Sequence, residues 1–194
     1  MFTRWRSAPD AVAGLRDYLT PEAVQDVTEA IRFAAQRHGD QTRPTGAPYL
    51  EHLLETLEVL VRGAGVRDVD VLRAGVLHDV VEDTSCSLSE IDAAFGSRVA
   101  ELVGWVTKPA AGPGADRQRV KEDYLRSLAD APRDAQLVKL ADRVSNVQTL
   151  RNLAPAKQRA YYAQTVRYVM PLAARESWFG RWYADWQQCF ADLG

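Results

Sequence analysis

Val76-Leu-His-Asp-Val-Val-Glu-Asp83 places one imidazole and three carboxylates within eight residues of an otherwise apolar segment. At about 100° per residue, a single helix through this stretch would put all four polar side chains within an arc of about 140°. Acidic groups this close repel one another, which is tolerable where a cation supplies the opposing charge or solvent screens them. The pattern therefore indicates a helix with one packing face and one face that binds a divalent metal ion.

Length and composition limit the classes of protein that this chain can represent. A chain of 194 residues, 46% of them hydrophobic, can bury one sizeable core and predicts a single domain over residues 1–194. The 24 basic and 26 acidic residues nearly cancel, so the net charge of -2 gives no general attraction for nucleic acid. The two cysteines form no disulfide or metal-binding pattern, and no apolar run approaches the roughly 18 residues of a membrane span. We therefore expect a cytoplasmic protein that is neither exported nor membrane-bound.

Helical periodicity dominates the rest of the chain, and strand-like alternation persists nowhere. Thr20-Pro21-Glu22 supplies an N-cap, a first-turn proline and an acidic first turn for a helix that ends near residue 39. Proline and glycine in 40–48 and 109–114 predict loops. The same kinds of signal predict further helices over 49–62, from Asp68 through the central stretch, and over 88–95, 97–107, 118–128, 134–150, 155–175 and 178–190. The fold class is therefore predicted to be all-α.

The helix that carries Asp142 is the second informative one. Asp142 and Asn146 lie four residues apart beside an apolar stripe, so they point the same way and could share a ligand. An aspartate inside a helix has poor helix propensity and a burial cost, which favours a functional role if it faces inward. Alternatively, Asp142 pairs with Arg143 or another cation on a solvated face, and taken alone it fits this second interpretation better.

Five motifs together are similar to one family. They are H-x-x-x-x-R-x-T-G-x-P-Y-x-x-H at 38–52, H-D-V-V-E-D-T at 78–84, F-G at 95–96, V-T-K at 106–108 and K-L-A-D-R-x-x-N at 139–146. In this order and spacing they resemble the hydrolase domain of the RelA/SpoT family, one of the HD metal-dependent phosphohydrolases. The resemblance covers roughly residues 20–175 and implies an HD-type helical bundle with a metal site between helices, followed by a helical extension over 176–194. It also implies a stand-alone small alarmone hydrolase, with no synthetase domain expected to follow.

The resemblance implies a metal site and a reaction. One divalent ion, usually manganese, would be held by His52, His78, Asp79 and Asp142. Two imidazoles and two carboxylates suit Mn²⁺, with Fe²⁺ or Zn²⁺ as alternative occupants. Glu82 and Asp83 match the acidic pair that orients and deprotonates the attacking water in hydrolase-competent members. The implied reaction removes pyrophosphate from the ribose 3′ position of ppGpp or pppGpp.

Substrate contacts are implied by the same resemblance. Arg43 matches the arginine that stacks on the purine, a contact suited to a planar guanidinium. Thr45 and Asn146 match residues that contact base or sugar, and Lys108 is a candidate phosphate partner. The basic residues among these have an alternative as ordinary solvated charges. His38 also matches a family histidine, but we interpret it as a structural hydrogen-bonding residue at a helix end and give it no ligand role.

Departures from the family pattern keep other functions open. Pro44 stands where a basic residue is common, Leu53 where the family usually has proline after the histidine, and Ser145 where many members have histidine. These changes concern base and phosphate recognition, so ppApp or NADPH remain alternative substrates. A non-catalytic alarmone-binding module is a further alternative, against which Glu82 and Asp83 weigh. An antitoxin hydrolase that cancels a cognate toxic alarmone synthetase would use the same chemistry, and a helical structural protein ranks last.

Overall fold

Helices make up the whole architecture. The computed structural model describes residues 1–194, which form no strands and only one isolated bridge, between Thr42 and Pro48. The helices in chain order are α1 (Ala8–Leu15), α2 (Pro21–His38), α3 (Tyr49–Glu58), α4 (Val69–Leu77), α5 (Val80–Asp83), α6 (Leu88–Phe95), α7 (Ser97–Val106), α8 (Arg117–Ser127), α9 (Arg133–Val147), α10 (Pro155–Gln164), α11 (Met170–Ala173) and α12 (Ser177–Cys189). The all-α prediction is confirmed. No helix is both long enough and apolar enough to cross a bilayer.

Local signals account for several helix ends. The Thr20 side chain accepts a hydrogen bond from the Ala23 amide at the start of α2, as the Thr-Pro-Glu pattern predicts. Asp68 caps α4 in the same way. Gly96 ends α6 and leads directly into α7. Its φ of +89° is a backbone conformation that favours glycine. These caps fix the positions at which the chain turns between packed helices.

α4 lies at the centre of the bundle and contacts α2, α3, α7 and α9. Its apolar side chains, including Leu72 and Val76, are fully buried within one continuous hydrophobic cluster. At Gly75 an added Cβ would lie 2.5 Å from a side-chain carbon of Leu60, so the glycine permits close packing against the π-helical turn Val59–Gly63 that extends α3. The carboxyl end of α4 is thereby placed against α3 and α9.

The main departure from the sequence prediction lies in the central stretch. α4 ends at Leu77, His78 and Asp79 form a turn, and α5 is a separate helix of four residues. The prediction of a single helix with all four polar groups on one arc is therefore wrong. His78 Nδ1 donates to the Gly75 carbonyl at 2.8 Å. Because an uninterrupted helix would offer that carbonyl to the amide of Asp79, the side chain competes with the helix at this point.

Smaller departures concern other helices. α1 is absent from the sequence prediction, although Ser7 and Asp10 form a capping box at its start. The helix predicted over 155–175 is divided by a π-helical turn, Thr165–Val169, just before Pro171, which has no amide hydrogen for the helical ladder. The helix predicted over 134–150 ends at Val147 and is followed by a 3₁₀ turn, Leu150–Asn152.

Candidate active site

Three segments bring the four candidate metal ligands together at the carboxyl end of α4. His52 lies on α3, His78 and Asp79 form the turn after α4, and Asp142 lies on α9. The two imidazoles and Asp142 are at most 4% exposed, and Asp79 is partly exposed. The packing of α4 between α3 and α9 therefore assembles a site from residues that are far apart in sequence.

The donor atoms of His52, His78 and Asp142 lie within 4.8 Å of one another, and Asp79 lies beside both imidazole nitrogens. His52 Nε2 lies 3.1 Å from His78 Nε2. Asp79 Oδ2 lies 3.4 Å and 3.2 Å from these two nitrogens, and Asp142 Oδ1 lies 3.3 Å and 3.6 Å from them. Ligand atoms held about 2.0–2.2 Å from one ion are spaced about 3 Å or more from one another. The two imidazoles and Asp142 are therefore spaced to share a single metal ion, with an Asp79 oxygen next to both imidazole nitrogens.

Hydrogen bonds on the outer side of each ring leave both Nε2 lone pairs free. His78 Nδ1 donates to the carbonyl of Gly75 at 2.8 Å. Ser145 Oγ donates to the Glu55 carboxylate at 2.5 Å, so the same oxygen accepts from His52 Nδ1 at 2.8 Å. In the neutral form that binds a metal, each imidazole would therefore direct its Nε2 lone pair toward the space between the rings, an arrangement that a shared cation stabilises. The donor set fits a divalent ion.

The electrostatics of the cluster also favour bound positive charge. Burial alone would lower the pKa of His78, but the carboxylates of Asp79 and Asp142 outweigh it and raise the pKa to about 10. At His52, burial would also lower the pKa, but the hydrogen bonds with Asp142 and Asp79 outweigh it and raise the pKa. Burial would raise the pKa of the Asp79 and Asp142 carboxyl groups. His78 holds the pKa of Asp79 well below its usual range, and Lys139 does the same for Asp142. The two carboxylates stay ionised and attract a cation.

Asp142 is held by two neighbours on its own helix. Lys139 Nζ lies 2.7 Å from Asp142 Oδ2, and Asn146 Nδ2 donates to Oδ1 at 2.5 Å. Asp142 and Asn146 do point the same way, as their spacing predicts. The alternative of a solvated face is wrong for Asp142, because the side chain is buried. The ion pair with another cation does form, and its partner is Lys139.

The acidic pair on α5 borders the cluster, and each member has a positioning partner. Glu82 accepts from the Lys108 amide at 3.0 Å, and its other oxygen pairs with the Lys108 ammonium group. Asp83 lies 2.8 Å from the Tyr49 hydroxyl, which also lies 2.6 Å from Asp79. Burial and these two carboxylates raise the pKa of Tyr49 far above its usual range, so the phenol remains a donor. Tyr49 belongs to the motif at 38–52, but the motif alone indicates no role for its hydroxyl.

The four candidate metal ligands, here called the metal-ligand cluster, lie where two lobes of an open cleft meet. Tyr49, His52, Asn146 and Tyr161 border both lobes. One lobe, here called the cationic lobe, is also lined by Lys108, Lys121, Lys139 and Arg143. The other, here called the Arg43 lobe, is also lined by Arg43, Pro44, Thr45, Asn152 and Lys157. A ligand that spans both lobes would pass directly over the cluster.

The residues predicted to contact substrate divide between these lobes. Arg43 and Thr45 lie in the Arg43 lobe, Lys108 lies in the cationic lobe, and Asn146 lies between them. Arg43 Nη1 is 2.9 Å from Glu55, and both side chains are largely buried. Glu55 is therefore linked to Arg43 on one side and, through Ser145, to His52 on the other.

His38 lies outside the cluster of candidate ligands. Its Nδ1 is 2.8 Å from Gln41 Oε1, and its ring stacks on Tyr49 with a centroid distance of 4.7 Å. The position at the end of α2 and these contacts agree with the structural role expected for this histidine.

Comparisons with known proteins define the class first. The HD domain family matches residues 30–179, and the chain belongs to this family. Together with the buried His/His/Asp cluster, this membership indicates a divalent metal site. The resemblance to the RelA/SpoT hydrolase domain is confirmed by the individual relatives.

Two curated relatives carry the same name, guanosine-3′,5′-bis(diphosphate) 3′-pyrophosphohydrolase. The human protein, MESH1, is 38% identical over 136 residues, which cover 69% of this chain and 74% of the human one. The Vibrio cholerae protein is 36% identical over 164 residues, which cover 82% of this chain but only 23% of the bacterial one. This chain thus spans about a quarter of the length of the bacterial relative and most of the length of the human one.

A solved structure shows the same fold. It is a metazoan ortholog of SpoT described as hydrolysing ppGpp and playing a role in starvation responses. It matches with a TM-score of 0.75 and 27% identity, covering 84% of this chain and 94% of that chain.

Proposed function

We propose that this protein hydrolyses the 3′-pyrophosphate of ppGpp or pppGpp, giving GDP or GTP and pyrophosphate. The observation that carries the proposal is the convergence of two buried imidazole lone pairs and two ionised carboxylates beside the acidic pair on α5. The named activity of relatives that align with most of the HD domain supports the same reaction.

The proposed metal ligands are His52, His78, Asp79 and Asp142. Mn²⁺ suits two imidazoles and two carboxylates, with Fe²⁺ or Zn²⁺ as alternative occupants of the same donor set. When bound, such an ion lowers the pKa of water and withdraws charge from a phosphoryl oxygen. The protein contributes the tautomer of each histidine, through Gly75 and Ser145.

The acidic pair is proposed to handle the proton. Water oxygen bonds to the phosphorus attached to ribose O3′, the bond from phosphorus to O3′ breaks, and O3′ takes up the proton that the acidic pair has removed from the water. Asp83 or Glu82 accepts the proton that the water loses, a contribution of roughly 10²–10⁴ in rate. Tyr49 orients Asp83 and Lys108 orients Glu82 through their hydrogen bonds.

The Arg43 lobe is proposed to hold the nucleoside. Arg43 would stack its guanidinium plane on the purine, with Thr45 and Asn146 beside the base or sugar. Glu55 contacts the guanidinium through Nη1 and so fixes its orientation. Pro44 replaces a basic residue that is common in the family and so cannot contribute a charged contact. The choice between guanine and adenine therefore depends on Arg43, Thr45 and Asn146.

The activity can be tested by incubating Mn²⁺-loaded protein with ppGpp, pppGpp, ppApp and NADPH. We expect equal amounts of GDP and pyrophosphate from ppGpp. Tight binding of ppGpp without release of pyrophosphate would instead identify an alarmone-binding module. Faster turnover of ppApp or NADPH would assign a different substrate to the same centre.

The cellular setting follows from the proposed substrate. We propose a single domain over residues 1–194, supported by the one continuous hydrophobic cluster, and a cytoplasmic location, where nucleotide alarmones act in the stringent response. Genes adjacent to the one encoding this protein would distinguish a housekeeping hydrolase from an antitoxin. A neighbouring gene for a toxic alarmone synthetase would favour the antitoxin role.

A further inference from the structure

Arg143 carries a buried charge with which no carboxylate of the protein forms an ion pair. The side chain lines the cationic lobe and is only 5% exposed. Its Nε and Nη1 have no hydrogen-bond partner, and the adjacent Asp142 pairs with Lys139 instead. Buried guanidinium groups are costly unless they are paired, so an unpaired one beside an open cleft indicates a missing anionic partner.

Lys121 brings a second unpaired charge to the same part of the cleft. Its Nζ lies 5.6 Å from the centroid of the Tyr161 ring, and the guanidinium carbon of Arg143 lies 5.1 Å from the same centroid. Burial and the nearby charges of Arg143 and Lys108 lower the pKa of Lys121. The protein therefore holds two cations close together, and a bound anion would relieve their repulsion.

The charge balance of the cationic lobe favours a multiply charged anion. Its four basic side chains and its four carboxylates cancel formally. Two of those basic side chains are already ion-paired with carboxylates, which leaves Arg143 and Lys121 as the free donors. A divalent ion at the neighbouring cluster would add two positive charges. A phosphate group suits such an excess, and a guanidinium can donate two parallel hydrogen bonds to it.

We propose that Arg143 and Lys121 bind the distal phosphate of the substrate's 3′-diphosphate, the group that leaves as pyrophosphate. This proposal rests on the proposed function and specifies it. With the nucleoside in the Arg43 lobe and the ribose-linked phosphorus at the metal-ligand cluster, the distal phosphate extends into the cationic lobe on the other side. Arg143 and Lys121 bind this group, and neither takes part in breaking a bond.

The subsite has a consequence for substrate choice. A nucleotide with a single phosphate at the ribose 2′ or 3′ position, such as NADPH, has no distal phosphate to reach Arg143 and Lys121. Loss of either side chain should therefore reduce kcat/KM for ppGpp more than for NADPH.

The direct test is a calorimetric titration of Mn²⁺-loaded protein with inorganic pyrophosphate. We expect Arg143→Met and Lys121→Met each to weaken pyrophosphate binding by about 10-fold or more, the size expected for a lost charge-assisted hydrogen bond. Arg119→Met is the matched control, because Arg119 lies on the same helix as Lys121 with a side chain 81% exposed and does not line the cleft. Its affinity for pyrophosphate should stay within about 2-fold of wild type, since exposed charges are screened.

A second readout separates binding from structural support. Because Arg143 is buried without an ion-pair partner, and with Nε and Nη1 unbonded, Arg143→Met should leave Tm unchanged or raise it. A lower Tm with unchanged pyrophosphate affinity would show that Arg143 is structural and would overturn the proposal. Weaker binding of GDP with unchanged binding of pyrophosphate would also overturn it, because the lobe would then hold the 5′-phosphates.

The titration requires no turnover, so the two proposals can fail separately. Pyrophosphate binding that depends on Arg143 and Lys121, in a wild-type protein that does not hydrolyse ppGpp, would support the subsite and contradict the proposed reaction. Hydrolysis of ppGpp by the wild type, with pyrophosphate affinity unchanged in both variants, would support the proposed reaction and contradict the subsite.

Discussion

Replacing Ser145 with alanine should weaken metal binding, although Ser145 is not itself a proposed ligand. Its hydroxyl accepts from His52 Nδ1 at 2.8 Å and donates to Glu55 at 2.5 Å. Without the hydroxyl, the buried Nδ1–H has no acceptor, and the ring can adopt the other tautomer, in which Nε2 carries the proton and cannot bind a metal. The substitution therefore acts on the orientation and protonation of His52.

Two independent magnitudes agree on the size of this effect. Outer-shell hydrogen-bond partners of metal ligands typically contribute about 10–100-fold in metal affinity, which corresponds to about 1.4–2.7 kcal/mol. Leaving a buried donor unsatisfied costs about 1–3 kcal/mol. Because His52 is 3% exposed, water has little access to replace the lost acceptor. We expect the Kd for Mn²⁺ to rise about 10–100-fold in Ser145→Ala.

The assay is calorimetric titration of metal-free protein with Mn²⁺, repeated in the presence of a competing chelator. Thr56→Val is the matched control, because the Thr56 hydroxyl is also fully buried and bonds to His52, but to its backbone carbonyl at 3.0 Å. The control removes a hydroxyl at nearly constant volume without touching the imidazole. A Kd within about 2-fold of wild type for Ser145→Ala, or an equal loss in Thr56→Val, would refute the tautomer explanation.

Three other substitutions test the proposed metal ligands, the Arg43 lobe and the hydrophobic core. His78→Ala should abolish stoichiometric metal binding, and unchanged metal content by elemental analysis would remove His78 from the ligand set. Arg43→Lys keeps the charge but loses stacking area, so KM for ppGpp should rise more than kcat falls; kinetics equal to wild type would place the base elsewhere. Gly75→Ala should lower the free energy of unfolding by about 1–3 kcal/mol through overpacking, because the new Cβ would lie 2.5 Å from a buried leucine. Gly112→Ala, with open space around it, is the control, and equal denaturant midpoints for the two variants would contradict this packing explanation.

Local sequence signals predicted helices well where the cause is itself local. The helix predicted over residues 88–95 matches α6 residue for residue, because Ser87 caps its start and Gly96 ends it. The break after Leu77 depends instead on a side chain that bonds to a backbone carbonyl three residues earlier. Periodicity alone assigns His78 to a continuous helix, so this turn was missed.

The sequence motifs predict only part of the candidate site, because the remaining contacts depend on how the helices pack. The motifs gave the four proposed ligands and the acidic pair, and the structure brings these residues together. The partners that position them arise from tertiary contacts: Ser145 and Glu55 lie 90 residues apart in sequence and meet only when α3 packs on α9. One signal was available, because Glu55 follows His52 by three residues and so shares its helix face. The unpaired state of Arg143 has no sequence signal, since it depends on which cations reach Asp142.

Single-turnover hydrolysis of ppGpp by Glu82→Gln and Asp83→Asn tests the central claim most directly. Neither side chain is a proposed metal ligand, and each amide keeps the shape and much of the hydrogen bonding of the carboxylate but cannot take up the proton that water loses. With Mn²⁺ content and ppGpp affinity equal to wild type, the rate should fall roughly 10²–10⁴-fold in at least one variant. Wild-type rates in both variants would contradict the proposed role of the acidic pair.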